Sequence, residues 1–261
     1  MVFAWRGVEI TQAGRDPVVA NPNHVVFHNR GTAYRRRPVV DGGEESVFIR
    51  FVPEVWAELV SVVDPGEMWN PEHPFRHIDA PCTSSEFMRQ HAMQHSLERG
   101  SGVDAVAVEE VAFALARSSL RRAYEARGQH RPRRRDTARA HRDAVHEAKL
   151  YLTAHFAEPV TLGDVARHVH LSAYHLSRVF RAETGFTVHR YLRCLRLCSS
   201  LGMLRERVGI SSVARRHGFA SHAHFTGAFG REFGVTPSGY RSGLSEIDPE
   251  RVALLSKITQ V

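Results

Sequence analysis

The sequence predicts a multidomain α+β protein: a β-strand unit with helices in the N-terminal half, and an all-α domain in the C-terminal half. Three observations predict it. The first 60 residues carry short strand-like runs punctuated by turn residues. From residue 84 onward apolar residues recur at helical spacing. Charge divides in the same way. Residues 1–115 hold 10 Lys/Arg and 16 Asp/Glu, whereas residues 116–261 hold 25 and 12. An acidic half joined to a basic half points to one module for nucleic acid and another for a different task; a basic protein with no polyanion partner is the plainer alternative.

In chain order, "VVF" at 25–27 and "SVFIRF" at 46–51 are strand-like, and Pro22-Asn23, Asn29-Arg30-Gly31 and Asp41-Gly42-Gly43 read as turns, so four to six short strands are expected. His24 and His28 fall in this region and read as surface residues. "WNPEHPFRH", 69–77, is a Pro-rich loop, with Trp56, Trp69 and Phe75 available either to line a pocket or to pack as core. Residues 84–99 and 104–127 read as helices. The apolar positions of the second, Val106 to Tyr124, suit packing against the β unit or another subunit, so a homodimer is expected. Residues 121–142 contain nine arginines and Pro132. They read as an exposed joint that either tracks phosphates or is merely solvated.

The C-terminal half contains one unit used twice. "DVARHVHLSAYHLSRVFRAETGFTVHRYLR" begins at 164 and "SVARRHGFASHAHFTGAFGREFGVTPSGYRS" at 212. Val165-Ala166-Arg167 matches Val213-Ala214-Arg215. After one extra residue, Ala220, the register holds at 49: Ser172 with Ser221, Leu176 with Phe225, Phe180 with Phe229, Gly185 with Gly234, Tyr191 with Tyr240. Each copy has the parts of a helix-turn-helix. Thr161 and Asp164 form a capping pair. Ser172 and Ser221 stand where an N-cap is wanted, and Gly185 and Gly234 mark helix stops. Between the copies, Val188, Tyr191, Leu192, Leu195, Cys198 and Leu201 make the apolar stripe of a helix of about 19 residues, roughly 28 Å long. That length suits two recognition helices about one DNA turn, roughly 34 Å, apart.

These pieces, with "GF-x-S-x-x-x-F" and "F-G-V-T-P-x-x-Y-R" in the second copy, resemble the DNA-binding domain of AraC/XylS-type transcriptional regulators. The resemblance covers about 100 residues. It implies transcription regulation at promoters, with double-stranded DNA and RNA polymerase as partners. It also implies a cupin-like β-barrel in the N-terminal half that senses a small-molecule effector or mediates pairing. "ANPNHVVFHNRGTAYR", 20–35, resembles the later strand pair and turn of such a barrel. Tyr34 stands where a metal cupin would place a ligand histidine, so a metal-dependent enzyme is disfavoured. The β region is short for a whole barrel: either the true start lies upstream of residue 1, or a partial barrel needs a partner to cover its edge. The expected organisation is a cupin-like sensing or dimerisation domain over 1–130, an Arg-rich linker over 131–143, the AraC-type domain over 144–243 and a tail over 244–261.

Side chains near the start of a recognition helix reach base edges. In the first copy the DNA-facing candidates are Ser172, Ala173, Tyr174, Ser177, Arg178 and Arg181. By resemblance Tyr174, Ser177 and Arg178 read bases, and Arg178 is the strongest candidate because a guanidinium can bridge guanine O6 and N7. Its alternative is a phosphate contact or a surface ion pair; that of Tyr174 is packing within the lobe. In the second copy the candidates are Ser221, His222, Ala223, His224 and Thr226. Gly227 takes the place of Arg178, so the second lobe is less equipped for direct readout.

The histidines of this region show no metal spacing. Cys194 and Cys198 are core fillers or a redox pair, and the three cysteines make no disulfide framework. No cofactor, metal or catalytic set is expected. No run approaches the eighteen or so apolar residues of a membrane span, and "MVFAWRGVEITQ" lacks a secretory signal; a cytoplasmic protein with no membrane role is expected. The competing functions are an enzyme, or a protein-interaction module, carrying a helical regulatory domain.

Overall fold

A computed structural model describes residues 1–65, 70, 73–99, 104–128, 135–206 and 208–245. The N-terminal half contains strands β1 (Val2–Ala4), β2 (Val8–Gln12), β3 (Val18–Ala20), β4 (His24–Val26), β5 (Tyr34–Pro38), β6 (Ser46–Phe48) and β7 (Asp79–Pro81). With them come helices α1 (Pro53–Val63), α2 (Ser84–Arg99) and α3 (Ala105–Gly128). The C-terminal half is helical: α4 (Arg135–Ala154), α5 (Leu162–His168), α6 (Ala173–Thr184), α7 (Val188–Arg205), α8 (Ile210–Arg216), α9 (His222–Phe233) and α10 (Pro237–Ser245). Among the described residues no helix is long and apolar enough to cross a membrane.

The strands form two antiparallel sheets, in the orders β6-β1-β4-β7 and β3-β2-β5. Strand side chains alternate between faces, and here the alternation makes layers. Ala4 and Val26 of the first sheet meet Val8, Ile10 and Ala20 of the second. Phe3, Val25 and Phe27 point the other way, into a core with Trp56 and Val60 of α1 and Leu115 and Leu120 of α3.

Several expectations are corrected. The first 60 residues hold six strands, within the four to six expected, and a seventh, β7, lies beyond them where none was expected; five of the seven have three residues, too short for alternation to be legible. β4 and β5 flank the turn at Asn29–Gly31 yet enter different sheets. His24 is buried, not a surface residue, because β4 is an inner strand between β1 and β7. Trp56 and Phe75 take the core alternative expected of them, packed edge to face at 4.9 Å, and Phe75 also lines a cavity; Trp69 lies outside the described residues. Residues 135–143, expected as linker, are the first turns of α4. That helix forms because Val145, Ala148 and Leu152 give it a face to bury, and it starts only after Pro132. The expected tail begins inside α10, where Leu244 is buried.

The cores do not follow the expected domain boundary. Val145, Ala148 and Leu152 of α4 share one cluster with α5, α6 and the first half of α7. The second half of α7, with α8, α9 and α10, belongs to the same cluster as the first sheet and helices α1 to α3.

Candidate nucleic-acid interface

The first lobe is α5, a turn, and α6. Thr161 and Asp164 form a reciprocal capping box at the start of α5. The Asp164 carboxyl is held below its usual range, first by the Thr161 hydroxyl and then by the Thr161 backbone N–H and Arg167. In the turn the Leu171 N–H donates to Ala166 O at 3.0 Å, and His170 adopts a left-handed φ of 55°. Ser172 then caps α6, its Oγ accepting from the His175 N–H at 3.1 Å. Leu176, Val179 and Phe180 turn inward, and Gly185, at φ 76°, ends the helix.

The second lobe repeats the turn and the recognition-helix cap, though Gly209 at the start of α8 provides no side-chain cap. The Phe219 N–H donates to Ala214 O at 3.0 Å, and Gly218 takes the left-handed place of His170 at φ 72°. Ser221 caps α9 through the His224 N–H at 3.1 Å. Phe225, Phe229 and Phe233 turn inward, and Gly234, at φ 73°, ends the helix. Val188, Tyr191, Leu192, Leu195, Cys198 and Leu201 are all buried along α7, the 18-residue helix that joins the lobes. Its length is ~27 Å.

The N-terminal ends of both recognition helices are open. Ser172, Ala173, Tyr174, Arg178 and Arg181 are exposed on α6, and Ser221, His222, Ala223 and His224 on α9. Tyr174 is 76% exposed, which removes its alternative as a lobe-packing aromatic. Arg178 makes no hydrogen bond or ion pair with another described residue, so its guanidinium fork is available. Ser172 and Ser221 spend an oxygen lone pair on their caps and keep a hydroxyl hydrogen to donate. Ser177 and Thr226 depart from the outward positions expected of them: both are half-buried. Each lies three residues before a buried Phe, Phe180 or Phe229, which puts it on the flank of the inward face. The Thr226 hydroxyl is enclosed without a partner, so it is corrected from outward-facing to marginal.

The cysteines are buried, and burial pushes the thiols of Cys82, Cys194 and Cys198 upward. They are not poised as thiolates. Among the described residues no three His, Cys, Asp or Glu side chains are grouped to hold a metal ion.

The repeat also carries contacts that sequence reading missed. The equivalent tyrosines both reach the N-terminal half. Asn21 donates to Tyr191 Oη at 2.8 Å and to Thr153 Oγ1 at 2.9 Å, and Asn23 donates to Tyr191 O at 2.9 Å. Tyr240 Oη lies 2.9 Å from Nδ1 of the buried His91, which stacks on Trp5 at 4.4 Å. Beside the first recognition helix, His141 Nε2 of α4 lies 3.3 Å from His175 Nε2. The matching tyrosines in register were the available signal; what they bond to was not.

Two helix-turn-helix units, spaced by one bridging helix and with open recognition-helix ends, define a double helix-turn-helix domain. Residues 165–243 match the protein family described as a helix-turn-helix domain. Similar curated proteins include the regulatory protein PocR of Salmonella typhimurium, 32% identical over 107 residues, 41% of this chain and 35% of PocR. The transcriptional activator RhaS of Salmonella agona is 34% identical over 152 residues, 57% of this chain and 51% of RhaS. Among solved structures, a Chromobacterium violaceum transcriptional regulator described as having an AraC-type DNA-binding domain is 26% identical. It covers 41% of this chain and 96% of that one, with a TM-score of 0.38. The chain thus spans between about a third and a half of the curated relatives it matches.

Proposed function

We propose that this protein is a sequence-specific DNA-binding transcription regulator that acts at promoters through its two helix-turn-helix units. The observation that carries the reading is the duplicated lobe with both recognition-helix starts open and capped alike. The first lobe supplies most base recognition, through Arg178 and Tyr174. The second, with Gly227 in place of the arginine, contributes phosphate contacts and shape fit. His222 and His224 lie at its groove-facing end.

In this reading the N-terminal half is a cupin-like sensing or pairing unit. A cavity of about 440 Å³ beside α1, lined in part by Gln12, Arg15, Asn29, Asp64, His73 and Arg76, is where a small polar effector would bind. RNA polymerase and a second copy of the chain are the expected protein partners. The test is fluorescence anisotropy of a labelled duplex titrated with the full chain across a salt series. Lys/Arg–phosphate contacts release counterions, so affinity falls steeply as salt rises. An absence of duplex binding even at low salt would leave the helical repeat as a scaffold for protein contacts.

A further inference from the structure

The nine-arginine stretch expected as a linker ends in a helix, and that helix is fixed beside the first recognition helix. Val145, Ala148 and Leu152 bury α4 in the first lobe. His146 meets Glu9 of β2 at 2.7 Å, and Thr153 accepts from Asn21. Gly7 also lies so close to α4 that a Cβ there would overlap the Thr153 side chain. Helix α4 is therefore held from two sides. His141 touches His175, in the first turn of α6, and that turn is the part of a recognition helix that enters the groove. From His141 the helix continues six residues toward its start at Arg135, about 9 Å at ~1.5 Å per residue. Residues 137, 139 and 140 of this extension are exposed, as is residue 142 just after His141.

The cations there are loosely held. The Arg139 side chain is 80% exposed, and its carboxylate partner Asp143 is 3.9 Å away. Arg142 is half-exposed and 4.0 Å from Asp16. Exposed pairs of this kind contribute about 0–1 kcal/mol, so both side chains can exchange a carboxylate for a phosphate at little cost.

We propose that the N-terminal turns of α4, through Arg139 and Arg142, form a third DNA contact that grips backbone phosphates flanking the site read by α6. The inference rests on α6 being a recognition helix. The contact is independent of base sequence, and it lengthens the bound site on the first-lobe side only. Because α4 is already ordered by its packing, little conformational entropy is lost on binding.

The test compares the unaltered full chain with an Arg139→Ala/Arg142→Ala variant on a duplex selected by the unaltered chain, intact and trimmed of its first-lobe flank. The expected result is ~10-fold weaker binding by the variant at moderate salt, with a salt slope shallower by about one to two and unchanged base preference. Trimming the flank weakens the unaltered chain and leaves the variant where it was. An Arg139→Lys/Arg142→Lys variant binds like the unaltered chain, and all variants unfold at the same temperature. Equal salt slopes and equal response to trimming overturn the third contact while leaving the two-lobe reading intact. No duplex binding by the unaltered chain overturns both.

Discussion

Arg178 and Gly227 occupy the same place in the two units, and in the proposed reading that difference contributes most to making the lobes unequal. Arginine there carries a planar fork that can bridge guanine, worth about 1–3 kcal/mol of base discrimination; glycine carries nothing. A second residue pair, His170 and Gly218, shows the opposite: different residues doing the same backbone task. Both hold left-handed φ values at the turn between helices. Gly218 is the more constrained. A Cβ on it would come within 2.8 Å of Ala157 O and 2.9 Å of Arg196 Cζ. Arg196 meanwhile donates to Phe156 O and Glu158 O, each at 2.6 Å. Gly218→Ala therefore costs at least about 1–2 kcal/mol from the left-handed backbone alone, with the displaced guanidinium adding to it. Urea denaturation measures this, and an unchanged midpoint would refute it.

At the scale of elements, α9 is weakened by its own composition. Gly227 and Gly230 both lie in the helix interior, each costing roughly 0.5–1 kcal/mol relative to alanine. A Cβ on Gly227 meets only the Arg231 guanidinium, at 3.4 Å. Gly227→Ala is thus expected to stabilise the protein by about 0.5–1 kcal/mol, read as a higher denaturation midpoint; a loss of stability would mean a neighbour needs that space.

The same scale shows what was legible in the sequence. The caps at Thr161, Ser172 and Ser221, the stops at Gly185 and Gly234, and the buried stripe of α7 were readable because each is local chemistry. Of the short strands, "VVF" at 25–27 and "SVFIRF" at 46–51 fall on β4 and β6 and were readable; the other three-residue strands were not, because such a strand is defined by its partner across the sheet. The start of helix α4 was not legible because its arginines and Pro132 resemble a joint, while the face that orders it, from Val145 to Leu152, lies about three to five turns further on. The inward drift of Ser177 and Thr226 follows from their spacing to Phe180 and Phe229, a signal present in the sequence.

At the scale of the whole molecule, each lobe is tied to the N-terminal half by its repeat tyrosine. Tyr191 is held by Asn21 and Asn23, and Tyr240 by His91. The second lobe also shares its core with the first sheet and helices α1 to α3. Arg205 of α7 pairs with Glu98 of α2 at 2.8 Å. A change in the N-terminal half therefore has direct routes to both lobes. His91 makes the second route sensitive to acid. Burial first, then the charges of Arg205 and His95, push it down from 6.5 to about 3. Between these values the unfolded chain binds a proton that the native state excludes, so stability is full above about 6.5 and is lost as pH falls toward about 3. The buried His24 and His217, also pushed down, add in the same direction. Unfolding monitored against pH is expected to show this slope, reduced by roughly one proton in His91→Gln. An identical slope in that variant would place the proton elsewhere.

The most direct measurement of the central claim is selection of the full chain against a random duplex library, read by sequencing, with Arg178→Ala selected in parallel. Two unequal lobes on a ~27 Å helix predict a site of two short blocks about one helical turn apart. The stronger block is lost in the Arg178→Ala selection and the weaker one is retained. A block that survives Arg178→Ala and disappears in His224→Ala would reverse the roles of the lobes. No enrichment at all would contradict sequence-specific recognition by this protein.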